Sequence, residues 1–372
     1  MEKARIMIVE DEGVLAKGIE RKMETLGYTA VGIAFSGEEA IPMVEQIHPD
    51  LVLMDIKLAG QMDGIETAQQ ILEKFNIPVI YLTAFSDKET IQRAKITAPF
   101  GYILKPVNER ELHCNIEMAL YRHRIEQENI DYIKRLSDDL AQAAHFQKSL
   151  LPEKPLDNVH WYIEGRLRSC DTVSGDTFTY IPLEEGVAAA LGDVSGHGVR
   201  AAMYTGMLIL SLRSALHANP YPRQLLQLLR QETDFFESTN YASLVYCWLT
   251  NDGACHYFSA GHPDIFWQHQ GAIQFLNSTA PLLMNFPVPV PDKIASISLA
   301  PGDRLVICSD GLLEAQHEKG EEFGKTRMQD AIRSSIHLPV PKAIDAILAC
   351  MDEHCQNQPQ ADDITLLIIE RR

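Results

Sequence analysis

Residues 51–66 read LVLMDIKLAGQMDGIE. An apolar run, LVLM, ends on Asp55, and an amphipathic helical pattern follows at residues 65–74. A short apolar run followed by a helical one is half of a strand–helix repeat. The same alternation extends in both directions. Upstream lie RIMIV at 5–9, a helical pattern to residue 26, TAVGIA at 29–34 and a helix near 38–47. Downstream lie PVIYLTA at 78–84, a helix near 87–95, GYILKP at 101–106 and a helix from residue 108. Five strands alternating with five helices predict an α/β domain, a doubly wound parallel sheet covered on both faces. In such sheets ligands gather at the carboxyl ends of the strands, where the strand order reverses.

Those strand ends carry acids and a cation: Glu10 and Asp11 after the first, Asp55 after the third and Lys105 after the fifth, while the fourth ends at Thr83. Three carboxylates at one rim suit a hard divalent cation such as Mg2+, and a carboxylate so placed can act as a nucleophile towards phosphorus. Lys105 can pair with phosphoryl oxygens, and the Thr83 hydroxyl can bond to them. Singly, Asp55 could cap a helix and Lys105 could be a solvated charge. Five such residues in order at successive strand ends are hard to assign to chance. The segments VEDE (9–12), LVLMDIKLAGQMDGIE, YLTA (81–84) and GYILKP resemble the receiver domains of two-component response regulators, over residues 4–122. The resemblance implies a flavodoxin-like fold in which Asp55 accepts a phosphoryl group. It also implies Mg2+ held by Glu10, Asp11 and Asp55, a switch pair Thr83 and Tyr102, Lys105 completing the site, and a cis Lys105–Pro106 peptide. The family often has two aspartates where this chain has Glu10 and Asp11, a change that keeps the charge.

Residues 121–150 contain no Gly or Pro, with apolar residues Ile130, Ile133, Leu136, Leu140, Ala143 and Leu150 near helical spacing. They predict one connecting helix that pairs with a second copy, as a coiled-coil homodimer, or packs against a domain. Pro152 and Pro155 end it. After residue 156 strand-like runs dominate: WYIEGRL, GVAAALGDV, ASLVYCWLT, CHYFSAG, DIFWQHQ, DRLVICSDG and ITLLIIE. Helical stretches at 199–217 and 222–236 fall together, and two more lie near 325–335 and 341–354. Clustered strands and clustered helices predict α+β, antiparallel sheets flanked by helices. The expected organisation is a domain at 1–122, a helical linker at 123–152 and a second domain at 153–372.

The second domain holds four acidic motifs: VSGDTF with Asp176, LGDVSGHG with Asp193, CSDGLLEA with Asp310, and ADDIT with Asp362 and Asp363. Aspartates at strand ends beside glycines that permit close backbone approach suit a binuclear cation site. Two cations bridged by water can supply a nucleophile near neutral pH and hold phosphate oxygens for in-line attack. Isolated Asp-Gly pairs are mostly tight turns. The four motifs in this order, with HFQKSLLP at 145–152, resemble the SpoIIE-type branch of the PPM serine/threonine phosphatases over residues 145–372. The resemblance implies a sandwich of antiparallel sheets and two Mn2+ or Mg2+ ions held by Asp176, Asp193, Asp310 and Asp362. By the same resemblance Asp193 and Asp310 are central to catalysis, and a backbone carbonyl near Val194 is a further ligand. Asp363, the other member of its acidic pair, is a further metal-ligand candidate, and His197 and His262 match family histidines without an assigned role. The family's G-G-D-F-x-D pattern stands here as Ser174, Gly175, Asp176, Thr177, Phe178 and Thr179, so one acid is missing and a third metal loses support. Leu283 occupies a place where the family often has glycine.

A net charge of −18 disfavours a nucleic-acid partner, since binders of the phosphate backbone usually present a basic face. The opening residues are charged and strand-like rather than a signal peptide, and the uncharged run at 201–212 is too short to span a membrane, so a cytoplasmic protein with a buried helix there is expected. Seven cysteines without a C-x-x-C pair fit a reducing compartment and are read as packing residues. Together the resemblances imply a response regulator phosphorylated by a sensor histidine kinase. Its output would be dephosphorylation of phosphoserine or phosphothreonine on a regulatory protein of the STAS anti-sigma-factor-antagonist type. The rival reading is a phosphorylation-dependent adaptor that binds a transcription or sigma-factor regulator without hydrolysing anything.

Overall fold

In the computed structural model, which describes residues 3–84, 99–231, 236–237, 239–286, 290–291, 294–356 and 358–372, the opening runs fold as alternating strands and helices. These are β1 (Arg5–Val9), α1 (Gly13–Thr25), β2 (Thr29–Ala34), α2 (Gly37–Ile47), β3 (Leu51–Asp55), α3 (Gly64–Phe75), β4 (Val79–Thr83), β5 (Gly101–Leu104) and α4 (Glu109–Ser149). The strands pair in parallel in the order β2-β1-β3-β4-β5. Their continuous apolar runs follow from burial on both faces. Ile6 and Ile8 pack with Ala16, Ile19 and Met23 of α1 and Leu112, Ile116 and Ala119 of α4. Met7 and Val9 pack with Ala40 and Val44 of α2 and Ile65, Ala68 and Ile71 of α3. The strand order reverses beside β1 and β3, so their carboxyl ends form the crevice. The helix expected near 87–95 lies outside the described residues.

The chain divides into two compact units, Met1–Leu136 and Ser137–Arg372. The helix expected from residue 108 and the connecting helix expected at 121–150 are one element, the 41-residue α4. Nothing between them breaks the helix: neither Gly nor Pro interrupts the run. Leu150 falls in the turn after Ser149 rather than on the helix. Beyond Ala119 the apolar residues Tyr121, Ile130, Ile133 and Leu136 are exposed.

The second unit contains β6 (Leu156–Asp157), β7 (Trp161–Arg168), β8 (Asp176–Leu183), β9 (Gly186–Val194), α5 (Val199–Ala218), α6 (Pro222–Gln231), β10 (Tyr241–Thr250), β11 (Ala254–Ala260), β12 (Ile265–His269) and β13 (Ala272–Leu276). It continues with β14 (Leu283–Met284), β15 (Ala295–Ser298), β16 (Arg304–Cys308), α7 (Asp310–Leu313), α8 (Gly324–Ser335), α9 (Val340–Cys355) and β17 (Ile364–Arg371). Two antiparallel sheets form, β15-β11-β10-β9-β8 with β14 on β10, and β13-β12-β16-β17-β7-β6. Trp161, Ile163, Phe178, Leu191, Val245, Ile307, Leu367 and Ile369 fill the layer between them. Leu208, Leu212, Leu225 and Leu229 of α5 and α6 cover the outer face of the first sheet. Met328, Ile332, Ile344 and Ile347 of α8 and α9 cover the second. Each sheet is thus apolar on both faces, which requires the helical outer layers.

Three expectations need correction. Residues 176–183, DTFTYIPL, form a strand that the sequence reading passed over. The run 201–212 is not buried throughout: Ala201, Leu208 and Leu212 face the sheet, whereas Met203, Met207 and Leu210 are exposed. Of the cysteines, Cys247, Cys255 and Cys308 are buried packing residues, but Cys114 is exposed on α4. Among the described residues no helix is long and apolar enough to cross a membrane.

Candidate functional site

In the first unit the carboxyl ends of β1, β3 and β5 converge. Glu10, Asp11 and Asp55 each offer a carboxylate oxygen within 4.8 Å of the others. Lys105, just after β5, sits between two of them, its Nζ 2.6 Å from Asp55 Oδ2 and 2.6 Å from Glu10 Oε2. Glu10 is fully buried, and burial raises its pKa against the lowering effect of Lys105. Burial opposes the charge on Lys105, but its bonds to Asp55 and Glu10 outweigh this and raise its pKa, so it stays cationic. The segment after Asp55 is fixed by a capping box: Asp63 accepts from the amides of Ile65 and Glu66, and Glu66 accepts from the Asp63 amide. A Cβ on Gly64 would collide with the Asp55 carbonyl oxygen, so only glycine lets α3 start this close to the acid.

Thr83 ends β4, its hydroxyl donating to the Ala84 carbonyl at 3.3 Å. The Tyr102 hydroxyl is buried without a hydrogen-bond partner among the described residues, its ring 5.8 Å from Tyr81, and burial raises its pKa. The Lys105–Pro106 peptide is cis.

In the second unit the acids come from both sheets. Asp176 opens β8 and Asp193 stands directly opposite it near the end of β9. Asp310 begins α7 just after β16, and Asp362 and Asp363 immediately precede β17, which pairs with β16. Thr365 joins the two groups, its hydroxyl donating to Asp176 Oδ2 at 2.6 Å. Ser309 adds a further tie, accepting from the Thr365 amide at 2.9 Å. A Cβ on Gly311 would collide with the Asp363 carbonyl, so the turn after β16 can close against the ADDIT segment only with glycine there.

The charges interact strongly. Burial, followed by Asp310, Asp362 and Asp363, raises the Asp193 pKa from 3.8 to about 7. Burial and then Asp193 raise that of Asp176, and burial and then Asp362 raise that of Asp310. Among the described residues no Lys or Arg forms an ion pair with Asp176, Asp193, Asp310 or Asp362, in contrast with the site around Lys105. A set of carboxylates in which Asp176 is buried, Asp193 and Asp310 are partly buried and Asp362 is exposed, with no organic counter-ion among the described residues, fits hard divalent cations, which take oxygen ligands and offset this repulsion.

The members of the set differ in availability. Both Asp363 oxygens accept backbone amides, from Cys170 at 2.8 Å and Gly175 at 2.6 Å, so this acid braces the 170–175 loop. Val194 closes β9, its amide bonded to the Gly175 carbonyl at 3.1 Å. His197 is exposed on the turn before α5. His262 is buried with Nδ1 2.6 Å from Ser243 Oγ, on the strand residue opposite Asp193, and burial lowers its pKa to about 4. It is therefore a neutral imidazole one layer behind the acids. Cys170, read from sequence as packing, instead lies with Asp362 and Asp363 in a group whose ligand atoms are within 4.8 Å of one another. Asp176, Asp193 and Asp310 enter no such triple among the described residues. Sequence reading also missed Thr365 and Ser309 as site residues, although both lie inside the quoted acidic motifs.

The family model described as Stage II sporulation protein E (SpoIIE) matches residues 184–372, and that described as response regulator receiver domain matches residues 6–117. Transcriptional regulatory protein PdtaR of Mycobacterium tuberculosis is 37% identical over 120 residues, 32% of this chain and 58% of that protein. Transcriptional regulatory protein YvrH of Bacillus subtilis is 38% identical over 123 residues, 33% of this chain and 51% of that protein. The chain thus spans little more than half the length of these relatives. Among solved structures, the SiaA-PP2C domain of Pseudomonas aeruginosa superposes with a TM-score of 0.57 at 22% identity, covering 65% of this chain and 98% of that one, a likeness of fold.

Proposed function

Because the chain belongs to the stage II sporulation protein E family and carries a receiver domain ahead of its PPM-type phosphatase domain, we propose that it is a response regulator whose output is dephosphorylation of a protein. A sensor histidine kinase supplies the phosphoryl group to Asp55. Glu10, Asp11 and Asp55 hold Mg2+, and Lys105 steadies the acceptor carboxylate and later the phosphoryl oxygens. Thr83 and Tyr102 are the switch pair; the Tyr102 hydroxyl, buried without a hydrogen-bond partner among the described residues, stands to gain a bond when the site rearranges.

In the phosphatase domain Asp176, Asp193, Asp310 and Asp362, with the Val194 carbonyl, are the residues that would hold two Mn2+ or Mg2+ ions. Such ions supply a water nucleophile near neutral pH and charge to offset the phosphate. Asp363 braces the loop before Asp176, and His262 packs behind Asp193 as a neutral support. The phosphatase acts on phosphoserine or phosphothreonine in a regulatory protein, and an anti-sigma-factor antagonist of the STAS type is the partner the family favours. We assign residues 1–122 to the receiver, 123–152 to the linker and 153–372 to the phosphatase. Ile130, Ile133 and Leu136, exposed on a single helix, support pairing of two linkers in a homodimer.

The observation that carries the phosphatase reading is the convergence of acids from two sheets, where burial and neighbouring carboxylates raise the pKa of Asp176, Asp193 and Asp310 with no ion-paired lysine or arginine among the described residues. It is tested by Mn2+-dependent release of phosphate from p-nitrophenyl phosphate and from a phosphoserine-bearing partner. Activity lost in both Asp193→Ala and Asp310→Ala supports the enzyme. Wild type and variants equally inert, yet still binding the phosphorylated partner, would make it an adaptor.

A further inference from the structure

We propose that Gln147, in the last turn of α4, is a positioning residue for the metal-holding loop, tying the end of the connecting helix to Asp176. The inference rests on the reading of Asp176 and Asp193 as metal-holding acids. Gln147 Nε2 donates to the Ser174 carbonyl at 2.5 Å, and its Oε1 accepts from the Ser174 amide at 2.9 Å. One side-chain amide thereby satisfies both backbone groups of a single buried residue, as a neighbouring strand would. Ser174 in turn accepts the Asp176 amide on its hydroxyl at 3.0 Å, so the chain of bonds from α4 reaches the acid in two steps.

The other attachments of this loop come from elsewhere. The Gly175 amide donates to Asp363 at 2.6 Å, and the Gly175 carbonyl accepts from the Thr205 hydroxyl of α5 at 2.6 Å. On the α4 side the loop borders open space among the described residues. A cavity of about 170 Å3 lies there, bordered by Gln147, Lys148, Leu167, Thr172, Ser174 and Asp176. Where open space borders the loop, the amide pair supplies the attachment that packing does not on this side. A slide or rotation of the last turn of α4 therefore moves the carboxylate of Asp176 relative to Asp193. The expected consequence is a change in metal affinity rather than in the chemical step, because partners that orient ligands typically alter affinity by about 10–100-fold.

The test uses the full chain, with Mn2+ binding followed by calorimetry and Mn2+ dependence followed by p-nitrophenyl phosphate hydrolysis. Gln147→Leu is expected to raise half-saturating Mn2+ about tenfold in both, with turnover at saturating Mn2+ within about twofold of wild type. Gln147→Glu, which can still accept the Ser174 amide, is expected to fall between. Lys148→Ala borders the same cavity without a bond to the loop and should match wild type. Unchanged Mn2+ dependence in Gln147→Leu, an equal shift in Lys148→Ala, or a turnover loss that saturating Mn2+ does not restore would overturn the proposal. If wild type binds Mn2+ but releases no phosphate, the hydrolase reading fails, while the calorimetric comparison still decides the role of Gln147.

Discussion

Replacing Asp193 with asparagine should make the metal-free protein more stable at alkaline pH, although the residue lies at the centre of the proposed site. The folded pKa of Asp193 is raised from 3.8 to about 7, so the folded state holds the proton more tightly than the unfolded chain does. The sign follows from linkage: the stabilisation is complete below about pH 4 and is lost as the pH rises through about 7. At pH 8 the ionised carboxylate therefore costs the metal-free fold at most about 4 kcal/mol, at 1.36 kcal/mol per pH unit. Some of that is shared with Asp310, whose charge helps raise the Asp193 pKa. Asp193→Asn keeps the shape and removes the charge, so a gain of about 1–3 kcal/mol is expected at pH 8 and little at pH 4. Each kcal/mol corresponds to roughly 2–4 °C in a domain of this size. Thermal unfolding of the full chain in EDTA, followed from pH 4 to pH 8, reads this difference. Adding Mn2+ should then stabilise wild type more than the variant. A variant less stable than wild type at pH 8, or a gain independent of pH, would refute the electrostatic reasoning.

Three further outcomes follow from individual contacts. Lys105→Met removes the cation held between Asp55 and Glu10, and phosphorylation of Asp55 by acetyl phosphate, followed by phosphate-affinity electrophoresis, should slow by roughly 10–100-fold, the value of one charge-assisted bond; an unchanged rate would count against it. Gly311→Ala places a methyl group against the Asp363 carbonyl and should cost about 1–3 kcal/mol, read as a lower melting temperature. Thr365→Val removes the bond that lowers the Asp176 pKa, so the pH midpoint of Mn2+ binding in calorimetry should move upward; a downward shift or none would contradict the role of Thr365.

Much of this was legible in the sequence because both sites sit where apolar runs stop. LVLM ends on Asp55, and RLVIC is followed by Ser309 and Asp310, so the alternation that announces a buried strand also marks the acid at its end. The strand Asp176–Leu183 was harder to find. Its threonines and Pro182 dilute the apolar signal, yet residues 176–179 are buried because they lie between a second sheet and a helical layer. The β-branched and aromatic character of Thr177, Phe178, Thr179 and Tyr180 was the available clue. The merging of two expected helices into α4 could also have been read from the uninterrupted composition of residues 109–149. Gln147 and Cys170 were not legible, because their importance arises from contacts across 27 and 193 residues of chain that no local pattern encodes. The separation of Asp362 from Asp363 is of the same kind: adjacent identical residues differ only in which backbone amides reach them.

Anomalous scattering at the manganese edge, from crystals of the full chain equilibrated with Mn2+, addresses the phosphatase site without an assay. The account predicts peaks among the carboxylates of Asp176, Asp193, Asp310 and Asp362. Manganese found only at Cys170, Asp362 and Asp363, or nowhere in the C-terminal domain, would contradict it.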